Sequence, residues 1–155
     1  MLADGDPCPR DEATAFVDRA QRLRARGLRE TLAVSTKDSF VGLVVLARET
    51  STPDRAELGY WIGRPYRGRG YATAAVAQVL TRGFARMRPD VVFARCDAGN
   101  RASTRVLEKL AFSFVGLEAA PDRARARLCR YELTRAEWHR HLTRSDDSPY
   151  FFADS

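Results

Sequence analysis

The sequence predicts an α+β fold with a mixed sheet, and three observations predict it. Ala72, Ala75, Val76, Val79, Leu80, Gly83, Phe84 and Met87 recur at helical spacing, the strongest helix signal in the chain. The segment before it, RAELGYWIG (55–63), alternates cleanly: Ala56, Leu58, Tyr60 and Ile62 share one face, Glu57, Gly59 and Trp61 the other. The segment after it, VVFARCD (91–97), is a short apolar run of the kind a buried strand shows. A strand–helix–strand unit over 57–97 calls for parallel strands joined by a right-handed crossover. The strand pairs on either side read as antiparallel hairpins.

In chain order, residues 9–27 read first as a helix. Pro9 suits the first helical position, Asp11 and Glu12 favour the positive end of the helix dipole, and Phe16, Ala20 and Leu23 form a narrow apolar stripe ended by Gly27. ETLAVST (30–36) and FVGLVVLAR (40–48) read as strands, joined tightly by KDS. Pro89 and Asp90 break the central helix. Asn100 is a good N-cap for the next one, RASTRVLEKLAF, whose Ala102, Val106 and Leu110 line one side. FSFVGL (112–117) and RLCRYEL (127–133) read as two more strands around the loop EAAPDRARA. Thr134 and Glu137 have capping-box spacing and start a short last helix. Residues 1–142 read as a single domain. The tail, 143–155, is expected to be loosely ordered unless something docks on it.

Composition narrows the function. A chain of 155 residues fits one domain with a real core. The longest apolar run, Phe40 to Ala47, is far shorter than the ~20 residues a bilayer span needs, so no membrane partner is expected. The first residues lack the basic and apolar regions of a signal peptide. Cys8, Cys96 and Cys129 are odd in number and form no CxxC, which argues against a disulfide framework or a zinc site. They fit a reducing cytosol, so a cytoplasmic protein without a metal is expected. The net charge of +6 is almost all arginine. It fits either a solvated basic surface or a polyanionic ligand. The arginines are scattered along the chain, so a nucleic-acid partner is not expected.

RPYRGRGYAT (64–73) joins the alternating strand to the central helix. A dinucleotide fingerprint would need a third small residue where Thr73 stands, and a P-loop would need a lysine; neither is present. The context still favours an anion. The free N–H groups at 68–73 and the helix dipole point the same way, and two glycines let a ligand approach the backbone. A tight turn without a ligand is the alternative.

RGRGYA resembles the R/Q-x-x-G-x-G/A loop of the GNAT superfamily of acetyl-CoA-dependent N-acetyltransferases. AELGYWIGRPYRGRGYAT is similar to the strand and loop of its ribosomal-protein-alanine (RimJ/RimL-like) branch, and NRASTRVLEKLAFSFVG to that branch's N-x-x-S-x-x-V-L-E-K-x-G-F signature. The resemblance covers roughly residues 10–140 and implies a GNAT-like fold: a mostly antiparallel sheet with a central, splayed parallel pair, flanked by helices. It implies that Arg67, Gly68, Arg69, Gly70, Tyr71 and Ala72 hold the pyrophosphate of acetyl-CoA. The pantetheine arm would run along Trp61 and Ile62 as an added strand, with Asn100 bonding the arm. Arg105 would either approach the CoA phosphates or stay a surface arginine.

The implied reaction is direct attack of an amine on the thioester. Free α-amines have pKa about 8 and lysine about 10.4, so a base helps. The resemblance places that base at Glu57, acting through water; its alternative is pairing with an arginine. The Ile62 N–H is the candidate oxyanion donor. The tyrosine many relatives use as acid is replaced by Leu107, so Ser103 is expected to protonate the thiolate, or to act only as a helix residue. Cys96 reads as core, and His139 and His141 as surface. Arg123, Arg125 and Arg127 read as a solvated loop.

The chain departs from the family pattern twice. Ala111 stands where a glycine is expected, so the chain is expected to turn differently there. The family's usual first strand is missing or atypical before residue 10. Either the start is truncated or the chain manages without it. That would leave the 30–36 strand with an open edge, which predicts a homodimer. Acylation of a small antibiotic or metabolite amine and a non-catalytic acyl-CoA sensor are the alternative functions.

Overall fold

A computed structural model describes residues 10–120 and 126–144. The elements are α1 (Arg10–Ala25), β1 (Arg29–Ser35), β2 (Phe40–Arg48), β3 (Arg55–Ile62), a 3-10 turn (Arg64–Tyr66), α2 (Tyr71–Arg86), β4 (Val91–Asp97), α3 (Arg101–Lys109), β5 (Ser113–Ala119), β6 (Arg127–Thr134) and α4 (Arg135–Arg144). Every expected helix and strand is present, most within two residues of the bounds read from sequence. The expectations for residues before Arg10, for Arg123 and Arg125, and for the tail beyond Arg144 lie outside the described residues.

Six strands form one sheet in the order β1-β2-β3-β4-β6-β5. Among the described strands only β3 and β4 run parallel, as the crossover through α2 requires. Their ladder is short: it begins at Arg55–Val91 and ends at Leu58–Ala94, leaving Gly59–Ile62 and Arg95–Asp97 unpaired with each other. This is the expected splay. It opens because β3 stays bonded to β2 as far as Ile62, while β4 follows β6 as far as Asp97. β1 is an edge strand among the described residues, with α1 packed against it.

The core lies between the sheet and α2, where Leu46, Leu58, Val76, Val79, Leu80 and Val92 are almost wholly buried. Leu107, Leu110, Leu133 and Trp138 extend it under α3 and α4. Gly83 lets α2 approach β2 closely, since a Cβ there would lie 2.2 Å from Leu46 Cδ2. Cys96 is buried in this core, as expected. Glu30 is an unexpected member, 1% exposed, with Arg24 of α1 at 3.3 Å and Arg86 of α2 at 3.1 Å. Two cations reaching the same carboxylate from different helices make its burial tolerable. His141 departs from the surface reading: it is half-buried and stacks on Trp138, ring centroids 5.4 Å apart.

The end of α3 corrects another expectation. Ala111 does adopt the left-handed conformation, φ 65°. The Phe112 N–H donates to the Leu107 carbonyl at 3.0 Å and the Ala111 N–H to Glu108 at 3.1 Å, the paired bonds of a Schellman end. Burial of Leu110 and Phe112 on either side holds the turn in spite of the methyl group. Ala111→Gly is therefore expected to raise stability by up to about 1 kcal/mol, read as an upward shift of the thermal midpoint. The expected capping box at α4 is present, with the Thr134 N–H donating to Glu137 Oε2 at 2.7 Å and the Glu137 N–H to Thr134 Oγ1 at 3.2 Å.

Candidate active site

The splay opens into a cleft of about 480 Å³ between β3, the 64–70 loop, the start of α2 and one side of α3. Of the residues singled out from sequence, Trp61, Ile62, Arg67, Gly68, Gly70, Tyr71, Ala72, Asn100, Ser103 and Arg105 all line it. Two do not. Arg69 is exposed and outside the cleft lining. Glu57 lies outside too, because it faces the opposite side of the sheet.

The loop is shaped by its glycines. Gly68 and Gly70 take φ of 74° and 83°, which other residues adopt only at a cost. The first backbone bond into α2 runs from the Ala74 N–H to the Gly70 carbonyl, at 3.0 Å. The N–H groups of Tyr71, Ala72 and Thr73 therefore have no partner within the helix, and the dipole favours an anion there. Arg67 does more than edge the loop. Its Nε donates to the Ile62 carbonyl at 2.9 Å, pinning the loop back on the end of β3. Tyr66 and Tyr71 meet edge to face at 6.5 Å beside it. Arg105 and Lys109 bring two further cations from α3.

Strand parity decides which backbone groups reach the gap. The Gly63 N–H donates to the Val41 carbonyl at 2.8 Å, which fixes the alternation along the β2–β3 ladder. The backbone of Trp61 then turns toward β2, and those of Tyr60 and Ile62 turn toward the gap. The packing agrees: a Cβ on Gly42 would lie 2.2 Å from the Trp61 carbonyl oxygen. This corrects the expectation that an added strand bonds Trp61 and Ile62 alike. The Ile62 backbone is the one turned into the gap, and Trp61 contributes its exposed indole, stacked on Phe40 at 6.3 Å.

Across the gap, Asn100 caps α3: its Oδ1 accepts from the Ser103 N–H at 3.1 Å. The Ser103 carbonyl accepts from the Tyr60 hydroxyl at 3.2 Å. Tyr60, Tyr66, Ala102, Val106 and Lys109 line the cleft and were missed as site residues in the sequence; Thr73 lines it too and was read there only for its backbone N–H. Val106 was read only as a packing position and Tyr60 only as one more inward residue of an alternating strand.

On the far face, strand register groups Glu57 with Phe93, Arg95, Arg130 and Glu132. Arg95 donates from both Nε (3.0 Å) and Nη2 (2.7 Å) to Glu57 Oε1, so the arginine pairing considered for Glu57 is realised. Arg130 bridges Glu118 and Glu132, both at 2.8 Å, and Arg55 also reaches Glu132 at 2.8 Å. Burial alone would push the Glu132 carboxyl up, but the bonds from Arg130 and Arg55 outweigh it and hold it below the usual range. Among the described residues, no group of three or more His, Cys, Asp or Glu is placed to hold a metal ion, and no helix is long and apolar enough to cross a membrane.

Known proteins share this fold. Residues 2–113 match the acetyltransferase (GNAT) domain family. The N-acetyltransferase p20 of Bacillus licheniformis is 28% identical over 106 residues, 68% of this chain and 60% of that protein. The chain thus spans less than two thirds of that curated relative's length. Mycobacterium smegmatis RimJ, solved with CoA-disulfide, superposes with a TM-score of 0.70 at 21% identity, over 86% of this chain and 68% of that one. A point mutant of the Vibrio cholerae spermidine N-acetyltransferase SpeG gives 0.65 at 17% identity, over 86% and 79%. At such identities these two structures speak to the fold alone. The family match spans well over half of the chain, and its fold is the one found here: this protein belongs to the GNAT acetyltransferase family.

Proposed function

We propose that this chain is an N-acetyltransferase that moves the acetyl group of acetyl-CoA to a primary amine by direct attack in a ternary complex. The acceptor we favour is the α-amine of a protein N-terminus. The observation that carries the reading is the continuous cleft. It presents unpaired helix N–H groups for a pyrophosphate at one end, an unpaired stretch of β3 that an extended arm could follow, and the start of α3 at the other end. In this reading the Ile62 N–H, turned into the gap, steadies the oxyanion. Glu57, on the opposite face at the mouth of the gap, takes the amine's proton through water. Ser103 lies beside the departing sulfur.

The charge pattern on the acceptor face favours a monoamine over a polyamine. Glu57, Glu118 and Glu132 are each bridged to an arginine, so these glutamates offer no surplus negative charge to a polycation. Thiol release from acetyl-CoA, followed against a panel of peptides and small amines, tests the proposal. Release is expected with peptides bearing a free N-terminus and not with the same peptides blocked. Release with spermidine alone would move the assignment to polyamines. Tight CoA binding without turnover on any acceptor would make the chain an acyl-CoA sensor.

A further inference from the structure

We infer that Tyr60 is the proton donor to the departing CoA thiolate. The inference rests on the acetyl-CoA reading of the cleft. Tyr60 lies two residues beyond the last β3–β4 pair, so its backbone edge is open to the splay, and the residue lines the cleft. Ile62, which offers the oxyanion donor, is two residues further along the same edge of β3. A thioester carbonyl held at Ile62 therefore places its sulfur next to the group that reaches from β3 to α3. That group is the Tyr60 phenol, which spans the gap to the Ser103 carbonyl at 3.2 Å.

Two features make the phenol a better acid here than the Ser103 hydroxyl. A phenol is a far stronger acid than an alcohol. Its ring is half-buried against the core, and its hydroxyl lines the cleft, where a sulfur can displace the carbonyl as acceptor. Burial, ahead of the opposing bond to Ser103, pushes the phenol up from its ordinary value, so it stays protonated through the neutral range. The charged and titratable groups near it are Cys96 from β4, whose thiol burial also pushes up, and Arg105 and Lys109 of α3, which line the same cleft. Of these groups, the Tyr60 hydroxyl is the one seen to reach from β3 across to the backbone of α3.

Atoms and charge balance in this step. The amine nitrogen bonds the acetyl carbon and loses one proton through water to Glu57, which releases it to solvent. The C–S bond breaks with its electron pair on sulfur. Sulfur takes the Tyr60 proton, and the phenolate regains one from water. Leu107, at the position where the resemblance would put a helix tyrosine, is 1% exposed and packed in the core, so a phenol reaches this place from β3 instead.

The test needs no acceptor. CoA labelled with ¹³C on the carbon next to sulfur is bound to the whole protein, and its chemical shift is followed against pH. A phenol donating to sulfur favours the thiolate, so the bound thiol should titrate about one unit lower in wild type than in Tyr60→Phe. Fluorotyrosine at position 60 acidifies the phenol with little change of shape and should lower the value further, which covers the case of a misfolded phenylalanine variant. A Cys96→Ala background removes the neighbouring thiol from the titration. Equal thiol titration in all three proteins overturns the role of Tyr60 and leaves the cleft assignment standing. Failure of wild type to bind CoA overturns both. With an acceptor in hand, Tyr60→Phe should lower kcat roughly 10²-fold.

Discussion

Glu57→Gln is expected to lower acetyl transfer by about 10²- to 10⁴-fold in kcat, the usual range for a lost general base. The substitution keeps the shape and an acceptor oxygen for Arg95 but removes the basicity. Arg95 fixes the carboxylate through two bonds to one oxygen, Oε1; among the described residues Oε2 accepts no hydrogen bond and is available to a water. Both side chains are partly exposed, so the ion pair itself contributes little to stability, and the thermal midpoint should hardly move. The KM for acetyl-CoA should also stay, because Glu57 does not line the cleft. A fall in kcat without a change in KM is the signature of an interaction made in the transition state. Wild-type kcat in Glu57→Gln would show that solvent takes the proton and that Glu57 serves only to hold Arg95.

The largest loss of stability is expected from Phe93→Ala, on the order of 3–5 kcal/mol. Phe93 is 2% exposed although it lies on the face away from α2. Side chains from the sheet itself provide the cover. Arg130 lies 4.1 Å over the ring and Arg95 at 5.7 Å, and each is held there by glutamates. Truncation removes the ring and leaves two guanidinium groups over a void, so packing and cation–π attraction are lost together. For a chain of this length the thermal midpoint should fall by roughly 10 °C. Phe93→Leu should recover most of it, since a volume-conserving change in a core costs less than about 1.5 kcal/mol. A midpoint unchanged in Phe93→Ala would mean that the arginine cover does not hold this face together.

The elements were legible because their signals are local. The apolar spacing from Ala72 to Met87, the alternation over 55–63, the Asn100 cap and the Thr134–Glu137 box each act within a few residues, and each forms where the pattern places it. The parallel pair was legible for a related reason: a 16-residue helix between two strands leaves little other topology. The GxG turn likewise announced its left-handed glycines, and ten of the twelve residues read as site residues do line one cleft.

Other features depend on partners far apart in sequence, and there the local reading ran out. Ala111 was expected to avoid a left-handed turn on its own preference, but packing of Leu110 and Phe112 overrides about 1 kcal/mol of backbone cost. Arg69 was grouped with Arg67 by adjacency, yet only Arg67 finds a partner on β3, in the Ile62 carbonyl. Trp61 and Ile62 looked equivalent as neighbours on a strand until the β2 ladder turned one backbone away from the gap and the other into it. Tyr60 was an inward residue of an alternating strand until α3 placed the Ser103 carbonyl opposite its hydroxyl, 43 positions on. By itself, then, the sequence determined the elements, their order and the glycine turn before α2, because these follow from neighbours along the chain. Tertiary structure alone decided which backbone groups face the gap and which side chains meet across it, because strand register and helix placement bring together groups that no local pattern connects.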